Sequence, residues 1–294
     1  MKNKALKPFL KLIKHGIILG NLVPVIAGFF LALTPQTPAT VILLLITISG
    51  ITLVIASATI ANNIIDRDID KLMQRTQSRP LVNGDISLTR AILFAISFGT
   101  IGFYLLYFHV NSLAGNLALI GFIDYVILYS LIFKRHSSLS ILVGSVSGAV
   151  PPLVGYVAIT NHLDLTMLYL FVAFSSWQIA HSYAIALYRK QDYQNANIPI
   201  STHVMPLKTA QRWIAFYIFI MVISVLLLVL QSFSFTITKI ITTLLVLYWF
   251  YEALKTPKTN DNSLWGRQQF INSLLIIMGL CLLMIIDHSL LFLQ

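Results

Sequence analysis

Apolar residues run in blocks of about twenty along almost the whole chain, separated by short polar breaks. Nine blocks stand out, near residues 15–34, 40–62, 90–108, 113–133, 140–159, 165–187, 212–231, 234–254 and 270–291. A hydrocarbon layer about 30 Å thick takes roughly 20 helical residues to cross. Inside it every backbone polar group must be satisfied within the segment or within a closed barrel. Runs this long favour helices over a barrel, whose strands are short and alternating. The pattern predicts an all-α polytopic membrane protein with nine transmembrane helices. The first block has a basic lead-in but no small-residue cleavage site, so it reads as a retained helix and not as a signal peptide. Residues 1–294 read as one intramembrane domain.

The polar breaks are unequal. Residues 63–89 and 188–211 form two long connections, whereas the connections at the other end are only a few residues long. All Lys and Arg residues except Lys239 precede the first block or lie in or beside the loops after blocks two, four, six and eight. The positive-inside rule puts the N-terminus in the cytoplasm and the C-terminus outside. Composition agrees, since 57% of residues are hydrophobic, only 10% are charged and the mean hydropathy is +0.82. Soluble domains carry roughly a quarter charged residues. The net charge of +10 is therefore a topology signal. No basic face on a soluble module points to nucleic acid. Cys281 is the only cysteine, which excludes an intrachain disulfide. The segment 256–269 is turn-rich and reads as a plain connector.

The chemistry collects in the two long connections. Asn62, Asp66 and Asp70 are spaced four apart, a spacing that lines up three oxygen-bearing side chains on one helix face. Such a row suits Mg²⁺, which takes carboxylates together with the oxygens of a substrate phosphate. Arg67, Lys71, Arg75 and Arg79 follow at once and can clamp the same phosphates, although anchoring alone would account for any one of them. Lys134 and Arg135 close the fourth block. In the second segment Gln178, His181, Tyr188 and Arg189 fall at helical spacings that share a face, with Tyr183, Lys190, Asp192 and Tyr193 close by. Polar groups there are costly against lipid and read as cavity lining. Gly144, Gly148, Pro151, Pro152 and Gly155 suggest close packing and a proline kink in the fifth block. Asp124, in mid-block, reads equally as a functional acid or as a helix-to-helix hydrogen bond, and Glu252 and Asp287 read as interfacial. A buried acid and a broken helix would also suit a secondary transporter. Against that, the acids and cations crowd one membrane face.

Asn62-x₃-Asp66-x₃-Asp70 resembles the first aspartate-rich motif of the intramembrane UbiA-type prenyltransferases. Asp66-Arg67-Asp68-Ile69-Asp70, Arg75-Thr76, Arg79-Pro80-Leu81, Lys134-Arg135, the run from Gly144 to Gly155, Trp177-Gln178…His181-Ser182-Tyr183 and Asp192-Tyr193…Ile198-Pro199 are similar to the protohaem IX farnesyltransferase branch, in order over nearly the whole chain. The resemblance implies nine helices around a central cavity open to the cytoplasmic face. It implies farnesyl transfer from farnesyl diphosphate to the 2-vinyl group of haem B, with addition of water, giving haem O for terminal oxidases. On this view Asn62, Asp66 and Asp70 carry Mg²⁺ on the diphosphate. Arg67, Lys71, Arg75, Lys134, Arg135, Arg189 and Lys190 are candidates for neutralising diphosphate or holding haem propionates. Asp192, Tyr193, Tyr183 or His181 would position the water or touch the porphyrin. A quinone-precursor aromatic acid is the competing acceptor, and a haem-binding assembly protein without activity is the competing class. Association with a haem-modifying enzyme or with terminal oxidase assembly is left open. The chain departs from the pattern in Ile13-Lys14-His15, where the family often has Thr-Lys-Pro. It departs again at Ala180, where a proline is common, and in Ile200-Ser201-Thr202-His203-Val204 after the Ile-Pro pair. The second loop also lacks a further acid spaced from Asp192, which a second magnesium would need.

Overall fold

The computed structural model describes residues 2–35, 40–199, 206–255 and 262–293, and residues 200–204 of the second long connection lie outside them. The described residues are helical throughout apart from turns. Eight helices are long and apolar enough to cross a membrane. They are α3 (Val41–Ile65), α6 (Leu88–Val110), α7 (Ser112–His136), α8 (Ser140–Thr160), α9 (Leu165–Tyr188), α11 (Leu207–Ser232), α12 (Thr236–Leu254) and α13 (Asn262–Leu290). The first block does not form a straight span. It gives α1 (Lys2–Leu12) and α2 (His15–Leu31), which meet at a 55° bend and make a ninth span only if taken together. The cause is local. Lys14 adopts a left-handed backbone with φ 51°, which a non-glycine residue seldom tolerates and an α-helix cannot absorb. Three short helices complete the set: α4 (Arg67–Asp70), α5 (Pro80–Asn83) and α10 (Lys190–Asn195).

Several helices outrun their apolar blocks because polar residues continue them beyond the hydrophobic window. The supposed connector 256–269 is in fact helical from Asn262 onward. There Trp249 Nε1 donates to Gln269 Oε1 at 3.1 Å, and both side chains are buried. Large apolar side chains such as Val41, Phe108 and Leu230 stay exposed on the outer faces, where lipid would cover them.

Packing encloses a central space. Helices α2, α3, α7, α8, α9 and α13 surround it, α6 backs onto α3, and α11 and α12 back onto α9 and α13. The helix-to-helix alternative holds for Asp124, whose Oδ2 accepts the Ser147 backbone N–H at 2.9 Å, with Ser147 in the first turn after the break in α8 at Gly144. Asp287, near the end of its span, is buried against the protein. It accepts from Ser234 N (2.8 Å) and Phe235 N (3.0 Å), capping the start of α12 from another helix. Glu252 is also buried and pairs with Lys255.

The fifth block carries its two prolines within a helix that is also interrupted elsewhere. Pro151 and Pro152 sit inside continuous helix, and the break in α8 falls earlier, at Gly144. Their stretch packs closely against α2. A Cβ on Gly28 would lie 1.9 Å from Pro152 O, and one on Gly155 would lie 2.0 Å from Val25 O. Backbone cannot yield as a side chain end can, so Gly28→Ala or Gly155→Ala should destabilise the fold by about 1–3 kcal/mol through overpacking. Thermal melts of the detergent-solubilised protein check this, with Gly20→Ala as the control because nothing lies within 4 Å of its added carbon. Equal melts for all three would contradict the tight α2–α8 contact.

Candidate active site

Helix α3 stops at Ile65, and Asp66 is the hinge between it and α4. Hydrogen bonding carries through the hinge, with Asp66 N donating to Asn62 O (2.9 Å) and Asp70 N to Asp66 O (2.8 Å). The four-residue register therefore survives, and Asn62, Asp66 and Asp70 line one polar cavity of about 570 Å³. All three are buried, with the carboxylates only 1% exposed.

Each acid has a cation on one oxygen. Lys134, at the end of α7, donates to Asp66 Oδ2, and Arg79 Nη1 meets Asp70 Oδ2 at 2.5 Å. The other oxygens, Asp66 Oδ1 and Asp70 Oδ1, are buried and have no hydrogen-bond partner among the described residues. A buried carboxylate oxygen without a partner is costly, and a bound cation is a ready remedy. Two such oxygens, with room for substrate oxygens beside them, fit Mg²⁺. Among the described residues no three His, Cys, Asp or Glu side chains converge, so protein alone would not complete a metal's coordination.

Asn62 has a different surrounding from a free ligand. Its Oδ1 accepts from Lys14, and its Nδ2 donates to Asp66 Oδ2 (2.9 Å) and Ser130 Oγ (2.8 Å). It acts as a brace for Asp66. Lys14 reaches it because the α1–α2 break is tied to α3, with Thr59 Oγ1 donating to Ile13 O (2.9 Å) and Asn63 Nδ2 to Leu12 O (2.7 Å). Periodicity cannot report contacts 46–51 residues apart in sequence. The signal available for Lys14 was its place in Ile13-Lys14-His15, where the family pattern also has a lysine. Ser130 lies in a π-helical stretch, Asp124–Phe133, whose wider turn shifts the faces away from a 3.6-residue reading.

Of the other cations, Lys11, Lys14, Arg75, Arg79 and Lys134 line the polar cavity. Arg67 and Lys71 are exposed and line neither cavity. Arg135 turns outward to a bidentate pair with Asp68 at 2.7 Å, and its guanidinium holds the Asp68 carboxyl down to about 2. Arg189 lies over the Tyr188 ring at 4.2 Å, and neither it nor Lys190 reaches a cavity.

The polar cavity adjoins an apolar one of about 560 Å³, and the two share Gly16, Ile17, Tyr125, Tyr129 and Tyr193 as lining. Tyr125 and Tyr129 stack at 5.7 Å across the junction. Burial lifts the Tyr193 hydroxyl to about 12, so it stays a neutral donor at physiological pH. Gln178 and His181 line the apolar cavity on the α9 side. His181 is wedged between Trp177 (5.0 Å) and Phe270 (5.1 Å), with Nδ1 2.7 Å from Ser273 Oγ. Tyr183, by contrast, packs against Tyr217 and lines neither cavity. Asp192 also lines neither, and its Oδ1 accepts the Gln74 backbone N–H at 3.0 Å. Of the four candidates for positioning water or touching an acceptor, the structure brings His181 and Tyr193 to the cavity wall.

A cationic pocket with partner-less carboxylate oxygens beside an apolar chamber suits a ligand with an anionic head and an apolar tail. The pattern of the UbiA prenyltransferase family matches residues 21–274. The chain belongs to the UbiA prenyltransferase family. Within it, the chain is 43% identical over 284 residues to the protoheme IX farnesyltransferase of Serratia proteamaculans, covering 97% of this chain and 95% of that protein. It is equally similar to the same-named protein of Edwardsiella ictaluri, at 43% over 284 residues. Solved structures with the UbiA fold superimpose over almost the full length. A digeranylgeranylglyceryl phosphate synthase gives a TM-score of 0.76 at 21% identity, covering 98% of this chain and 99% of that one. A UbiA homolog from Archaeoglobus fulgidus bound to GPP and Mg²⁺ gives 0.72 at 18% identity, covering 95% and 99%.

Proposed function

We propose that this UbiA-family chain is a protohaem IX farnesyltransferase. It joins farnesyl diphosphate to the 2-vinyl group of haem B with addition of water, yielding haem O and diphosphate. The observation that carries the reading is the pair of orphaned oxygens, Asp66 Oδ1 and Asp70 Oδ1, in a cationic pocket that shares its wall residues with an apolar chamber. Near-full-length similarity to proteins of that name supports the haem acceptor over an aromatic acid. The carrier reading loses its footing, since Asp124 is engaged with the Ser147 backbone N–H.

Asp66 and Asp70 would hold Mg²⁺ through those oxygens, and Asn62 would join them once Lys14 releases its Oδ1. When bound, the metal supplies positive charge against the negative charge that grows on the departing diphosphate. The chain's own residues do the rest. Lys14, Arg75, Arg79 and Lys134 neutralise the diphosphate, and the exposed or outward-turned Arg67, Lys71, Arg135, Arg189 and Lys190 serve as interfacial anchors. The apolar chamber keeps water from the farnesyl cation until the vinyl carbon reaches it. Stacked Tyr125 and Tyr129 present π-faces where the allylic cation forms. Gln178, His181 and Tyr193 face the porphyrin. The domain is 1–294, and the cationic mouth and N-terminus face the cytoplasm, with the C-terminus outside a bacterial inner membrane.

The direct test incubates purified protein with haem B, farnesyl diphosphate and Mg²⁺, with and without chelator, and reads the haem by mass spectrometry. The expected result is a gain of one farnesyl plus one hydroxyl, lost on chelation. Unchanged haem from folded protein, with conversion of an aromatic acid instead, would overturn the acceptor assignment. On the acceptor side, His181→Ala should lower haem O formation about 10²-fold. Farnesyl diphosphate affinity, measured by calorimetry, should stay near that of the parent. A variant that makes haem O at the parent rate would remove His181 from the acceptor wall.

A further inference from the structure

The mechanism leaves Asp192 without a part, although it is a buried acid on the second long connection. Its Oδ1 accepts a backbone N–H from Gln74, 118 residues away, at 3.0 Å. Gln74 lies in the irregular segment between α4 and α5, which delivers Arg75, Ser78 and Arg79 to the polar cavity. The same segment is tied at a second point, where Thr76 Oγ1 donates to Asp70 O at 3.0 Å. Besides its backbone turns, this stretch is held by those two ties, by the Arg79–Asp70 ion pair and by the buried Met73, and the Asp192 bond is the tie among them that reaches it from the second long connection. Tyr193, beside Asp192, reaches both cavities from α10.

We propose that Asp192 is a positioning residue, not a metal ligand. It clamps the arginine-bearing segment onto α10, so that Arg75 and Arg79 meet the diphosphate. The inference rests on the prenyl-diphosphate reading of the polar cavity. The bond needs an acceptor oxygen but no charge, which separates it from metal ligation, because an asparagine oxygen can accept the same N–H.

The test compares Asp192→Ala, Asp192→Asn and Gln74→Ala in the detergent-solubilised full chain. Asp192→Ala should raise KM for farnesyl diphosphate about tenfold with a smaller change in kcat, the size expected for losing one hydrogen bond to a charged acceptor. Asp192→Asn should restore most of that loss. Gln74→Ala, which keeps its N–H, should behave as the parent. The Mg²⁺ concentration giving half-maximal rate should be common to all. Trypsin cleavage after Lys71 and Arg75, both exposed, reads the clamp without turnover. It should speed up in Asp192→Ala and not in Asp192→Asn. An Asp192→Asn as impaired as Asp192→Ala, with a tenfold higher Mg²⁺ requirement, would make Asp192 a ligand and overturn the proposal. So would parent-like KM and cleavage in Asp192→Ala. A parent chain that makes no haem O would instead strike the proposed function, while the trypsin comparison would still judge the clamp.

Discussion

Asp66→Asn and Asp70→Asn are each expected to cut haem O formation by about 10³-fold, equivalent to roughly 4 kcal/mol of transition-state stabilisation. The argument is one of charge and room. Both carboxylates are 1% exposed, and each keeps one oxygen on a cation and one without a partner. Asparagine retains the shape and an acceptor for Lys134 or Arg79 but removes the charge that attracts a divalent ion. Alanine would remove the charge too, but would strand a buried cation and blur the result with instability. Asp68→Asn is the matched control. Asp68 lies between the two in sequence yet is exposed and bound outward to Arg135, so its loss should leave turnover within about twofold. Product quantified by mass spectrometry under single-turnover conditions, with size-exclusion profiles to certify folding, gives the comparison. Turnover near that of the parent in both Asp66→Asn and Asp70→Asn would sink the metal assignment.

That Asp66 and Asp70 belong together was legible in the chain, because a four-residue spacing at the end of an apolar block has few other readings. The membrane class and the crowding of charge at one end were legible for the same reason, since both are local patterns. What the pattern could not reveal depends on pairs distant in sequence. Lys14 reads as one more anchoring cation until the left-handed residue that bends α1 away from α2 brings it to Asn62. Asp287 reads only as a span-end acid, and its bonds to Ser234 and Phe235 add the role of a helix cap. Arg67 and Lys71 read as phosphate clamps by proximity, but a one-turn helix turns them to the outside. Hydrophobic windows also end where polar residues begin, and so they clipped the starts of α11 and α13.

Lys134→Met should have the second-largest effect, and it should appear in stability as well as in rate. Lys134 is 9% exposed and supplies the one ammonium on Asp66 Oδ2, while Asn62 supplies an amide. Removing one member of a buried ion pair costs about 3–5 kcal/mol, because the remaining charge is left desolvated and uncompensated. In chelator, therefore, the variant should melt well below the parent. Magnesium should then restore much of the difference, since a ligand that binds the folded state alone stabilises it by mass action, and Asp66 without its lysine attracts the ion more strongly. The parent, with Asp66 already paired, should gain less from the same ion. Turnover should not recover with stability. The ammonium also lines the cavity proposed to take the diphosphate, so kcat/KM for farnesyl diphosphate should stay about 10²-fold down at saturating Mg²⁺. Thermal melts of parent and variant across a Mg²⁺ series, beside initial rates at the same concentrations, separate the two roles. A variant whose melting ignores Mg²⁺ would mean that the ion does not bind at Asp66. One whose rate recovers fully would mean that Lys134 only holds the carboxylate and never meets the substrate.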